Sequence, residues 1–275
     1  MFDLVFKSKA LKSGKAYCRN RDLTSVGIDM CDIFALSAGY NYTAKDYLPV
    51  FAEKAKQHMN GWGIGFFRNG SALVEKSLEQ VMIGDQLHEG FQRLARVIDS
   101  RIIISHISCP LSGGSHSAHN DPFSLSFLDH TWLFVNVGRD LDIEQYRTVN
   151  EPRLEPEVNA ARIFEYLRDH LLDRIKNYPY GSLYGVLRDA IRELLSDYPG
   201  FYTFFLANES VLFGFSNFRR LLLMKKSETI GDILIITSVR ELLSPGGWVP
   251  IKPGKNSLGK LMVIAGPDVL YLGDI

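Results

Sequence analysis

Met30-Cys31-Asp32-Ile33-Phe34-Ala35-Leu36-Ser37-Ala38 is the stretch on which the reading of this chain turns. From Cys31 onward it is apolar and small, with the β-branched and aromatic content of a buried strand. Working outward, segments 62–68, 71–76, 101–108 and 131–137 have the same character. Between the first two, a helix is expected from near Asp46, with Pro49 in its first turn, through Phe51 and Ala55 to a stop at Gly61. Two amphipathic helices follow. Phe164, Leu167, Leu171 and Ile175 share one face of the first, and Leu183, Leu187, Ile191 and Leu194 one face of the second. Strands return at 201–207, 210–216, 219–225 and 232–238, and, after the Pro/Gly-rich 245–258 loop, at 260–265 and 268–273. Strands, then two helices, then strands, without βαβ alternation, predict an antiparallel α+β fold with helices packed on sheets. Residues 30–275 read as one domain. Residues 1–29 form a basic extension (Lys7, Lys9, Lys12, Lys15, Arg19, Arg21) and are read as a propeptide, a leader or a mis-assigned start.

Chain position decides what Cys31 can do. A free α-amino group titrates near 7.7 to 8.0 and accepts a proton at neutral pH, whereas the nitrogen of an internal residue is an amide and cannot. If the residues before it are absent, Cys31 carries nucleophile and base together and attacks a carbonyl to give a thioester. If not, it is a small buried hydrophobe at a strand start.

The chain has 275 residues and 46% hydrophobic content, enough for a sizeable core. Thirty-one basic residues balance thirty-one acidic ones, so no global field attracts nucleic acid or an anionic membrane. No apolar run approaches the roughly 18 residues of a membrane span. The three cysteines, Cys18, Cys31 and Cys109, are an odd count that suits a reducing cytoplasm. A small-molecule or protein partner fits this composition.

Motifs along the chain carry a resemblance. Met30-Cys31, the turn His58-Met59-Asn60-Gly61-Trp62-Gly63, the strand Ile104-Ser105-His106-Ile107, the element Asp121-Pro122-Phe123 and the strand Trp132-Leu133-Phe134-Val135-Asn136-Val137-Gly138 resemble, in order and spacing, those of class II glutamine amidotransferases. Leu206-Ala207-Asn208-Glu209-Ser210-Val211-Leu212, Ile235-Ile236-Thr237-Ser238 and Trp248-Val249-Pro250 are similar to that family's later segments. The resemblance implies a four-layer αββα sandwich of the N-terminal-nucleophile hydrolase type. It also implies hydrolysis of the glutamine side-chain amide to glutamate and ammonia. In that scheme Cys31 is the nucleophile and its α-amine the base, and Asn136 with the Gly138 N–H would hold the oxyanion. Asn60, Gly61, Trp62, Ser108, Asp121 and Asn159 fall at substrate-binding positions.

Several of these depart from the family pattern. Ser108 stands where an Arg clamps the glutamine α-carboxylate, and a hydroxyl cannot replace a charge-assisted fork. Asn136 comes one residue before the usual oxyanion position, now Val137, which in a regular strand aims it at the opposite face. Asn120-Asp121-Pro122-Phe123 replaces Thr-His-Pro-Phe, and Asn159 replaces the carboxylate that receives the substrate amine. Both ends of glutamine thus lose their formal counter-charges. Weak, lost or redirected activity follows, and a catalytically silent ligand- or partner-binding member of the same fold is the alternative. The cluster His106-x2-Cys109-x6-His116-x2-His119 has zinc-type ligands and makes a metal-binding module a further alternative. Its spacing matches no established finger and His106 lies in a strand of the resemblance, so no metal or cofactor is expected. No synthase or acceptor domain is seen, so any ammonia would go to a partner protein or to solvent.

Overall fold

Alternation along the strands sets the architecture. Our computed structural model describes residues 31–55, 60–108, 121–140, 142–150, 154, 158–179, 181–239 and 246–275. The elements run β1 (Asp32–Tyr42), α1 (Leu48–Lys54), β2 (Asn60–Arg68), β3 (Ser71–Gln80), the short β4 (Met82–Ile83) and β5 (Gln86–Leu87), α2 (Glu89–Val97), β6 (Ser100–Ile107), β7 (Phe123–Phe127) and β8 (His130–Asp140). Then come α3 (Asn159–Asn177), α4 (Leu183–Asp197), β9 (Gly200–Ala207), β10 (Leu212–Ser216), β11 (Leu221–Ser227), β12 (Asp232–Thr237), β13 (Val249–Ile251), β14 (Lys260–Ala265) and β15 (Asp268–Asp274).

Two antiparallel sheets carry the molecule. One has seven strands in the order β13-β11-β12-β1-β6-β2-β3, the other six in the order β15-β14-β10-β9-β8-β7. Ile33, Ala35, Ile102 and Ile104 of the first sheet pack against Leu133, Val135, Val137 and Phe205 of the second. The intervening residues face outward under helices. Phe34, Leu36, Ile64 and Ile107 meet Leu48, Phe51, Phe91 and Ala95 of α1 and α2. Phe134, Phe204 and Phe213 meet Phe164, Leu167, Leu187 and Ile191 of α3 and α4. The result is an αββα sandwich whose inner strands, such as β9, β10 and β12, bury both faces, while the edge strands β3 and β15 stay largely exposed.

Most sequence-derived elements fall where expected. The first helix differs: α1 ends at Lys54, and Ala55 leaves it in an extended conformation with ψ of 140°. Gly61 lies instead inside β2, where a register shift between Asn60 and Trp62 and a φ of +82° require a residue without a Cβ. The expected extension, residues 1–29, lies outside the described residues.

Candidate active site

Cys31 immediately precedes β1, a central strand of the seven-stranded sheet, and packs at the edge of the core between the sheets. Its backbone carbonyl accepts a hydrogen bond from the Arg219 guanidinium. The same guanidinium bonds Asp32 Oδ1 at 2.5 Å. Ser238 Oγ donates to Asp32 Oδ1 at 2.9 Å and accepts the Ile33 N–H at 2.9 Å. Arg219 is itself held, because its N–H bonds Ser216 Oγ at 3.0 Å while that hydroxyl donates to the Arg219 carbonyl at 2.7 Å. The entry to β1 is therefore fastened by charge-assisted bonds from the far end of the chain, which fix the backbone from which the thiol projects.

The strand ends beside Cys31 form a row. Ile33 pairs with His106, His106 with Gly63, and Gly63 with Lys76, so these positions share the face turned toward the second sheet. His106 is buried, with Nδ1 3.5 Å from Ser108 Oγ and Nε2 without a partner. Burial, reinforced by the positive charges of Arg219 and Lys76, pushes its pKa down to about 3, so the imidazole is neutral. The Ser108 N–H donates to the Gly61 carbonyl at 3.0 Å, bringing those two residues together. Gly63 leaves room for a crossing segment: a Cβ there would sit 2.2 Å from the Asp121 carbonyl oxygen.

Asp121 is only 4% exposed. Its Oδ2 accepts the Asn136 N–H at 2.9 Å, while Oδ1 has no partner. Burial raises its pKa to about 7, against the pull of the Asn136 N–H and the Lys76 charge. The Lys76 ammonium sits 4.5 Å from the centre of the Phe123 ring, two residues past Asp121. Asn136 Oδ1 is likewise buried without a partner. The β8–β9 register is regular from Leu133 to Asp140, so Asn136 shares a face with Trp132 and Phe134 under α3 and α4, and Val137 faces the core between the sheets. Gly138 has a φ of +157°, and a Cβ there would lie 1.8 Å from the Phe201 carbonyl oxygen, so only glycine fits.

Not every expected residue gathers here. Trp62 is turned to the helix-facing side of its sheet, edge-on to Phe91 at 5.2 Å and beside His88. Trp132 stacks on Phe127 at 5.3 Å within the other helix-facing core. Asn159 opens α3 and is exposed. Asn60 begins β2. Cys109, His116 and His119 lie outside the described residues, and among the described residues no three His, Cys, Asp or Glu side chains converge as metal ligands. Sequence reasoning passed over Arg219 and Lys76. Arg219 stands in a tight turn, 188 residues from the carbonyl it binds, and Lys76 reads as one charge of a polar strand.

The fold is an αββα sandwich of two antiparallel sheets with a cysteine at the head of a central strand. Residues 30–235 match the family of class-II glutamine amidotransferases, and the chain belongs to that family. An uncharacterised protein of Methanocaldococcus jannaschii is 22% identical over 266 residues, covering 88% of this chain and 71% of its own length. Among solved structures, a predicted glutamine amidotransferase of Pseudomonas aeruginosa superposes with a TM-score of 0.59 at 16% identity, over 88% of this chain and all of its own. The glutamine phosphoribosylpyrophosphate amidotransferase of Bacillus subtilis gives 0.58 at 12% identity, over 89% of this chain and 49% of its own. These structures share the fold.

Among the described residues no helix is long and apolar enough to cross a membrane.

Proposed function

We propose that the chain is an amide hydrolase of the glutaminase type, active when Cys31 is the first residue. The α-amine takes the thiol proton as sulfur adds to the carboxamide carbon of glutamine or a related amide. Collapse of the tetrahedral intermediate breaks the C–N bond, and the same proton leaves with ammonia. Water then hydrolyses the thioester, releasing the acid and restoring the thiol. The observation that carries this reading is the fastening of the Cys31 carbonyl by Arg219 at the head of a central strand, which leaves the side chain toward the space between the sheets. Gly138 and Asn136 are the assigned oxyanion donors. The face Asn136 occupies argues for one working donor, and loss of one typically lowers the rate about a hundred- to a thousandfold. Asn60, Gly61, Ser108, Asp121 and Asn159 are assigned to substrate. Ammonia passes to a protein partner or to solvent, in a reducing cytoplasm that suits the odd cysteine count.

The same placement of Asn136 favours a second reading, a silent member of the fold that binds a ligand without turning it over. One experiment separates them. Natively expressed protein is sequenced from its N-terminus, treated with a glutamine-mimicking electrophile and assayed for ammonia. The hydrolase reading expects a start at Cys31, one covalent adduct on that residue, and ammonia release that Cys31→Ala abolishes. A retained leader with no adduct and no ammonia overturns it in favour of the silent reading.

A further inference from the structure

A cleft of about 410 Å³ lies at the end of the sandwich away from Cys31. It opens beside Asn41 at the end of β1, the turn that follows Arg68 in β2 and the first residues of β6, and the turn between β9 and β10 closes it from the other sheet. Cys31 precedes the opposite end of β1, whose 11 residues span roughly 30 Å at the usual rise per residue, so this cleft is separate from the cysteine site. Register puts two like charges on its wall. β2 pairs with β6 from Trp62 opposite Ile107 to Phe66 opposite Ile103, and two further steps set Arg68 opposite Arg101. Both arginines are exposed, and the Arg68 guanidinium lies 5.8 Å from the centre of the Phe66 ring. Like charges directly opposite across a strand pair are destabilising. Among the described residues neither guanidinium has a carboxylate in ion-pair contact. An oxyanion relieves such a pair, because guanidinium forks hold carboxylate or phosphate oxygens two at a time.

The facing wall is rigid and accepts hydrogen bonds. Asn208 Oδ1 accepts the Ser210 N–H at 2.9 Å and the Val211 N–H at 3.0 Å, and the Asn208 N–H bonds the Val211 carbonyl at 3.0 Å, which fixes the turn that carries Glu209. The Glu209 carboxylate reaches across to the β2–β3 turn: a Cβ on Gly70 would lie 3.8 Å from its Oε2, while its Oε1 is 3.8 Å from His130 Nδ1. Asp99 adds a second carboxylate to the lining. Carboxylates repel a bare anion but accept O–H donors. The cleft therefore matches a molecule with an oxyanion at one end and hydroxyls at the other.

We propose that this cleft binds a small hydroxylated oxyanion, a phosphate monoester or a hydroxy acid. Arg68 and Arg101 hold the oxyanion, and Glu209 and Asp99 accept its hydroxyls. The site is independent of the hydrolase reading above and of whether Cys31 is the first residue.

Calorimetry on the full chain compares sn-glycerol 3-phosphate and D-glycerate, one for each kind of oxyanion, with uncharged glycerol. At least one of the two anions is expected to bind about tenfold or more tightly than glycerol, the scale of one charge-assisted bond, and the tighter of them identifies the oxyanion. Arg68→Gln and Arg101→Gln should each weaken that ligand about tenfold. Arg192→Gln, at an exposed arginine of α4, should leave it unchanged. Glu209→Ala should weaken the hydroxylated ligand without weakening the matching bare anion, inorganic phosphate or acetate. Thermal unfolding gives a readout free of ligand: by relieving the repulsion, Arg101→Gln should raise the midpoint of the unliganded protein by about 1–3 °C. No preference for either anion over glycerol, an equal loss in Arg192→Gln, or an unliganded midpoint that Arg101→Gln leaves unchanged or lowers overturns the proposal.

Discussion

His106 and Asp121 are buried titratable groups whose shifts pull stability in opposite directions. His106 falls from 6.5 to about 3. Below pH 6.5 the unfolded chain takes up a proton that the fold refuses, so stability drops as pH falls from 6.5 toward 3. Asp121 rises from 3.8 to about 7. Between those values the unfolded chain releases a proton that the fold retains, so stability drops as pH rises from 3.8 toward 7. Each slope is limited to about 1.4 kcal/mol per pH unit, and where the windows overlap they offset one another. His106→Gln should therefore expose a stability that declines from pH 4 to 7, and Asp121→Asn one that declines from pH 6.5 to 3. Urea unfolding across this range checks both, and a flat profile in either variant contradicts the assignment. Gly138 makes a steric prediction at the same scale. Gly138→Ala forces a Cβ onto the Phe201 carbonyl and should cost more than about 2 kcal/mol, measured by the same unfolding.

The connection from β8 to α3 is organised by one side chain. Asp169 of α3, 4% exposed, accepts hydrogen bonds from Tyr146 Oη at 2.6 Å, Thr148 Oγ1 at 2.5 Å, the Val149 N–H at 3.1 Å and Asn150 Nδ2 at 2.7 Å. Arg168, also buried, bonds the same carboxylate at 2.8 Å. Burial by itself would raise the Asp169 pKa, but the bonds from Thr148, Tyr146, Asn150 and Arg168 outweigh it and hold it below the usual carboxylate value. Its contribution is complete above that value and is lost as pH falls through the lowered one. Asp169→Asn leaves the Arg168 charge without its carboxylate and should cost about 3 kcal/mol, with new protease cleavage within residues 146–150. Protection of that segment unchanged from the parent protein would contradict this role. At this scale the long periodic elements were legible: α3, α4 and the strands β1, β2, β3, β6, β8, β9, β10, β11, β12, β14 and β15 fall on the segments whose apolar content marked them. The helix α2 was not, because Gly90 and a charged face hide the pair Phe91 and Ala95 that it buries. The strand β7, Phe123-Ser-Leu-Ser-Phe, alternates plainly but is short, and its Asp121-Pro122 flank drew the reading away from it.

The whole molecule is held by a core that both sheets share, with a helical layer closing each outer face. Phe205, fully buried between the sheets, touches that common core, so Phe205→Ala should cost about 3–5 kcal/mol. Near-UV and far-UV circular dichroism should then report one lowered transition; loss of one sheet before the other would contradict a shared core. Sequence alone determined the strand–helix–strand order, the two apolar faces of α3 and α4, and the family motifs from Cys31 to Gly138. Those signals are local, set by periodicity and by residues adjacent in the chain. Tertiary structure alone turned Trp62 toward the helices and left His106 in the row beside Cys31, and its regular β8–β9 register kept Asn136 on the face that the one-residue offset had indicated. It alone brought Arg219 to the Cys31 carbonyl and Lys76 within the field of Asp121. These pairings cross sheets and strands far apart in sequence, and they arise from register and burial, which no local pattern encodes.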